Sequence, residues 1–255
     1  MTVHLNDMSG GVLLYFLVFA RVSAMVMLLP AIGDGGVPAR VRLALALAIS
    51  FAMMPAVAHF YPHNVPQSAT ALSVLLMQET IAGILIGGMS RLIMSSLSVA
   101  GQLIATQTGL AYAQTIDPTF GEQGAIVGTF FSMLGVVLIF ATNLHHLAIG
   151  AIVGSFTILP PGATLPTGDM AQEAINLTSG AFALGLQLAA PFVVFGFAVN
   201  AAIGLLARLM PQMQVFFIAM PVNMLAGFFL LMLLIGSLMT VFLNYYATEM
   251  GRFLS

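Results

Sequence analysis

The chain has 255 residues, 60% of them hydrophobic and only 5% charged, with a formal net charge of −2 and a mean hydropathy of +1.07. Average soluble domains carry about 25% charged residues, so the solvent of this chain is lipid, other protein, or both. It contains neither cysteine nor lysine; disulfides, thiolate metal sites, a cysteine nucleophile and a lysine-bearing phosphate loop are excluded, and the acidic balance argues against nucleic acid.

Residues 1–10, MTVHLNDMSG, lack the positive start of a cleavable signal and carry Asp7, so the first apolar run is expected to be retained. Punctuation by proline, glycine and polar clusters predicts six apolar helical segments. The first runs from Gly11 to Leu29 and stops at Pro30; AIGDGGVP is a loop, with Pro38 placed to start the next helix. The second runs from Ala39 to Met54 and ends at Pro55, and HFYPHNVP is a polar connector closed by Pro66. The third, Ser68 to Thr108, has no proline over 41 residues. Continuous, it is roughly 60 Å long at about 1.5 Å per residue, against a bilayer core of about 30 Å. Either it breaks near Gly87-Gly88 or much of it lies outside lipid. The fourth, Gly124 to Phe156, is also too long for a simple span. After TILPPGATLPTGD, Asp169 and Gln172 form a capping pair for the fifth, which runs to about Leu209 with a kink expected at Pro191. The last runs from Gln212 to Tyr246 with Pro221 inside it, and the tail after Phe242 is short and polar. No internal repeat is evident, which weakens an inverted-repeat transporter. If the six segments alternate sides, Arg40, Arg42 and Arg208 fall in odd-numbered loops, which places those loops on the cytoplasmic side.

Polar residues inside the apolar segments fall into patterns. Arg91, Ser95, Ser98, Gln102 and Thr106 recur in steps of three and four, so they share one helix face. Such a stripe does not belong against lipid. It packs on a partner helix through hydrogen bonds, the commoner arrangement, or it lines an aqueous conduit. Gly196, Asn200, Gly204 and Arg208 give the fifth segment a small, polar face suited to close helix packing. GxxxG pairs at Gly83/Gly87, Gly124/Gly128 and Gly150/Gly154 carry little weight, because 25 glycines yield roughly two or three such pairs by chance. Arg21 and Glu79 are single charges in apolar runs; burial of either alone is costly, so each needs a partner within the chain or in another subunit. His145 and His146 are adjacent on a helix and point about 100° apart, so packing or inter-subunit hydrogen bonding is expected of them and not metal.

Gly109 to Gly124, GLAYAQTIDPTFGEQG, is a polar, glycine-bounded stretch in an otherwise greasy chain. Glycines at both ends permit unusual backbone angles. Asp117-Pro118 is turn chemistry, and neither HExxH nor GxSxG occurs. A non-enzymatic protein without a cofactor is expected.

Four fragments, in order over almost the whole chain, resemble the FliR family of flagellar type III export-gate components. They are LLPAIGDGGVPARVRLALALAI, GQLIATQTGLAYAQTIDPTFGEQ, NLHHLAIGAIVGSFTILPPG and GLLARLMPQMQVFFIAMPVN. The resemblance implies an all-α membrane-associated fold of long, kinked helical hairpins, one export-gate domain over 1–255, joining a helical hetero-oligomeric pore raised largely out of the membrane plane. It implies FliP-, FliQ- and FlhB-like partners, unfolded flagellar subunits in transit, and a place in the bacterial inner membrane within the flagellar basal body. It also implies that the 109–124 stretch, between the two halves, is a plug in the export channel. The plug residues carried over are Gly109, Leu110, Tyr112, Gln114, Ile116, Asp117, Phe120 and Gly124. Tyr112, Ile116 and Phe120 have the bulk to fill a hole; an ordinary inter-helix connector is the plainer alternative. Arg21 and Glu79 would be charge locks, and the Arg91–Thr106 stripe would line the conduit or pack beside it. Virulence type III secretion systems use homologous subunits, and a multi-span solute or ion transporter using Glu79, Arg91 and the histidines is the rival from another class.

Overall fold

Where little water is available, a backbone satisfies its own N–H and C=O groups within each segment, which favours helices. The computed structural model describes residues 5–61, 68–110, 123–163, 167–210 and 215–254, and the regular structure among them is helical throughout. In chain order the elements are α1 (Leu5–Leu28), α2 (Ala39–Val57) with a 3-10 turn (Ala58–Phe60), α3 (Ala69–Gln107), α4 (Gln123–Ala141), α5 (His145–Ile158), α6 (Thr167–Leu209) and α7 (Val215–Gly251). Five of these regions are long and apolar enough to cross a membrane, and α4 with α5 qualify only as a pair.

Several boundaries differ from the sequence reading, each for a local reason. α2 does not end at Pro55. It carries that proline in its last turn, forgoing one backbone hydrogen bond, and closes through the 3-10 turn, where Tyr61 N donates to Ala58 O at 3.2 Å. α3 does not break at Gly87-Gly88; its 39 residues form one helix. At about 1.5 Å per residue it is nearly twice a bilayer core, so the alternative of a helix extending beyond lipid stands. The fourth segment is two helices. Asn143 at φ +61° breaks it, a left-handed conformation that asparagine tolerates better than most residues, and His146 N restarts the chain by donating to Asn143 O at 3.1 Å. α6 starts at Thr167, so Asp169 lies inside its first turn and faces the positive helix end without capping it. Gln172 Nε2 instead donates to Asn176 Oδ1 at 3.0 Å. Pro191 and Pro221 lie inside uninterrupted helices. The polar tail is not loose: α7 continues to Gly251, Tyr246 and Met250 are buried, and the Tyr246 hydroxyl lies 3.1 Å from Ser90 Oγ.

The chain gathers into two compact units that interleave in sequence: Met1–Leu92 with Phe140–Leu177 and Tyr246–Ser255, and Ile93–Ile139 with Thr178–Tyr245. In the first unit, Leu17, Val18, Val22, Met25 and Val26 give α1 one apolar face, packed with Met53, Ile86, Ile152 and Phe156. Gly83 and Gly87 let α3 lie directly on α1. A Cβ at Gly83 would strike the Arg21 carbonyl and the Ala24 side chain, and one at Gly87 would come within 2.9 Å of the Met25 backbone. That GxxxG pair, unremarkable by composition, therefore sets a helix–helix distance. In the second unit Gly101 and Gly128 do the same for α3 and α4, and Leu97, Ile104, Phe131, Phe192 and Phe242 are buried there.

Candidate functional site

The close approach of α1 and α3 creates a problem and its solution together, because it buries Arg21 and Glu79. Their side chains are 2% and 0% exposed, and Arg21 Nε donates to Glu79 Oε2 at 2.6 Å. The geometry thus pairs two charges that the sequence left without named partners. The remaining guanidinium donors go to the end of α5. Nη1 donates to Ser155 O at 2.9 Å and to Ser155 Oγ at 3.3 Å, and Nη2 donates to Leu159 O at 2.9 Å. Ser155 O also accepts from Leu159 N at 2.9 Å, whereas a carbonyl just past a helix end, such as that of Leu159, has no intrahelical partner, and a cation there meets the negative end of the dipole. Arg21 is therefore a C-terminal cap for α5 supplied from α1. The Phe156 ring lies 4.1 Å from the guanidinium carbon, near enough for a cation–π contact.

Tyr61, just beyond the α2 span, completes the cluster. Its hydroxyl and Glu79 Oε1 are both buried without a hydrogen-bond partner among the described residues. Burial, and next the negative charge of Glu79, raise the Tyr61 phenol well above its ordinary value, so it stays a neutral donor. Linear sequence shows no sign of Tyr61, Ser155 or Leu159 as partners, because they lie in segments other than those of Arg21 and Glu79 and none is unusual in its own.

The other predicted residues are placed as follows. Arg91, Ser95, Gln102 and Thr106 are exposed along one face of α3 and Ser98 is half-buried; Thr106 Oγ1 donates back to Gln102 O at 2.9 Å. The stripe is therefore covered only in part: Ser98 lies against Gly128 of α4, and the other four residues face outward. On α6 the close packing expected of four residues occurs at one. Gly196 is buried against the Gln107 side chain, whereas Asn200, Gly204 and Arg208 are exposed. His145 stacks on Phe140 with ring centroids 5.0 Å apart and lies 4.1 Å from His146; among the described residues no group of three or more metal-ligating side chains forms. Gly109, at φ +81°, turns the chain out of α3 after its last residues, with Leu110 following, a usual role for glycine past a helix end. Gly124 lies in the first turn of α4. Tyr112, Gln114, Ile116, Asp117 and Phe120 lie outside the described residues.

The arrangement is suited to holding helices together. The model of the family described as bacterial export proteins, family 1, matches residues 12–248. A flagellar biosynthetic protein FliR of Caulobacter vibrioides is 42% identical over 230 residues, covering 90% of this chain and 91% of that protein. The FliR of Escherichia coli K12 is 30% identical over 84% of this chain and 81% of its own length, and that of Bacillus subtilis 168 is 28% identical over 91% and 90%. With a match running from α1 nearly to the end of α7, the chain belongs to the bacterial export protein family 1, the family of the FliR proteins.

Proposed function

We propose that this chain is the FliR-type subunit of a flagellar type III export gate, a non-enzymatic membrane protein that forms and closes a conduit for unfolded flagellar subunits. The observation that carries this reading is the family match over residues 12–248. Helix length agrees with it: α3, α6 and α7 have 39, 43 and 37 residues, more than the ~20 that a bilayer needs. Their exposed apolar faces, with Phe197, Leu225, Phe229 and Met232 each more than half exposed, suit burial against FliP-, FliQ- and FlhB-like subunits in the inner membrane at the flagellar basal body. The 109–124 stretch acts as the plug, entered through the left-handed turn at Gly109. The Arg91–Thr106 stripe, exposed at Arg91, Ser95, Gln102 and Thr106, lines or flanks the conduit, and the Arg21–Glu79 pair locks α1, α3 and α5 in one arrangement.

Two measurements test the reading. Native mass spectrometry of the tagged chain, purified from its own cells in mild detergent, should return one copy inside a larger complex of distinct, smaller membrane proteins; a reproducible monomer or homodimer overturns it. Replacing 109–124 with a short Gly/Ser linker should make cells leak small solutes. A transporter would lose uptake without leaking, and retained closure with normal export would remove the plug assignment.

A further inference from the structure

In the first unit, a cavity of about 400 Å³ opens where the end of α5, the start of α6 and the end of α7 meet the middle of α3. That volume is in the range of ligand pockets. Its wall is apolar and includes the buried Met89, Leu159, Leu177 and Met250. Asp169, Glu173, Glu249 and Arg252 also line it. A chain with only 5% charged residues thus places three of its eight carboxylates on one cavity. Arg252 Nη1 lies 2.9 Å from Glu249 Oε2 and 3.7 Å from Glu173 Oε1.

Helix electrostatics accounts for part of this set. Asp169 in the first turn of α6 and Arg252 just past the end of α7 each suit the nearby dipole. Glu249 does not. It lies in the last turn of α7, where a negative charge is disfavoured, and the residue is only 7% exposed. Three carboxylates against one guanidinium leave the cavity two negative charges, as many as the formal net charge of the entire chain. The complementary occupant has an apolar body that carries a cation. A phospholipid fits poorly, because its phosphate would meet the carboxylates.

We propose that this cavity is a docking site for a basic–apolar segment of another polypeptide, with leucine, methionine or phenylalanine side chains on the Met89–Leu177–Met250 wall and a lysine or arginine between Asp169 and Glu173. The site does not rest on the export reading, since its binding is measured on the isolated full chain and its failure leaves that reading standing.

The test is fluorescence anisotropy of the full chain in nonionic detergent, with the rhodamine-labelled peptide Leu-Phe-Arg-Met-Leu as probe and its norleucine-for-arginine analogue as the measure of micelle partitioning. The arginine peptide should bind saturably and about tenfold more tightly than the analogue. That preference should vanish in Asp169→Asn/Glu173→Gln protein and shrink in 0.5 M salt. Asp169 is exposed and Glu173 half-buried, and an unchanged circular dichroism spectrum and unfolding midpoint show the variant to be folded. Met170→Trp, which fills the cavity, should weaken the arginine peptide. Equal affinity for the two peptides, or the same preference in the variant, overturns the proposal. Binding of lysophosphatidylethanolamine with the same dependence on Asp169 and Glu173, in place of the peptide, also overturns it by making the occupant a lipid.

Discussion

Replacing Arg21 with methionine removes the donor of four hydrogen bonds, to Glu79 Oε2, Ser155 O, Ser155 Oγ and Leu159 O, and leaves Glu79 alone at a site with no exposure. Removing one member of a buried ion pair costs about 3–5 kcal/mol, largely because the survivor stays desolvated and unmatched. Glu79→Leu strands the Arg21 Nε in the same way, although the guanidinium keeps its bonds to Ser155 and Leu159. If the two losses were independent, the double variant would lose about 6–10 kcal/mol, comparable to the whole stability of many domains. The geometry predicts otherwise. Once one partner is gone, removing the other relieves a buried charge, so Arg21→Met/Glu79→Leu should lose about 3–5 kcal/mol. What remains is the end of α5, where Ser155 O keeps its bond from Leu159 N but the Leu159 carbonyl loses a charged donor, at about 1.5–3 kcal/mol, and the lost cation–π contact on Phe156, at about 0.5–2 kcal/mol. The assay is a double-mutant cycle on reversible unfolding of the full chain in mixed micelles, titrated with sodium dodecyl sulfate. A double variant whose loss equals the sum of the singles within about 0.5 kcal/mol would refute the coupling and with it the lock.

Other substitutions probe separate contacts by the same unfolding assay. Gly87→Val should cost about 1–3 kcal/mol by forcing α3 off the Met25 backbone, whereas Gly88→Ala, with nothing within 4 Å of its added carbon, should be neutral or stabilise the helix by up to about 1 kcal/mol. Tyr246→Phe should lose about 0.5–1.5 kcal/mol, the worth of its bond to Ser90; no loss would mean that this bond does not hold the α7 tail. Asn143→Val should cost about 1–2 kcal/mol at φ +61°, while Asn143→Gly should be tolerated, and equal effects of the two would show that the break between α4 and α5 does not depend on the left-handed turn.

The features legible in the sequence were those that one segment carries by itself. Helix identity follows from apolar runs that leave the backbone no external partner, and both α3 and α6 follow their runs to within a few residues. Pro55 misled as a stop signal: it sits inside α2 because losing one backbone hydrogen bond costs less than ending a helix whose other residues are favourably placed. Asn143 misled in the opposite direction, since nothing in FATNLHH distinguishes a left-handed asparagine from a helical one. The knot around Arg21 shows the limit most clearly. Simple cost reasoning required a partner for each buried charge, and that requirement could be stated without coordinates. Which partner depended on Gly83, whose missing side chain lets α3 approach the Arg21 backbone and brings Glu79, one helical turn before it, within reach of the guanidinium. The glycine fixes the distance, the distance makes the ion pair possible, and the remaining donors of that arginine then cap α5. No one of those steps is visible until three segments 58 and 134 residues apart in sequence are brought together.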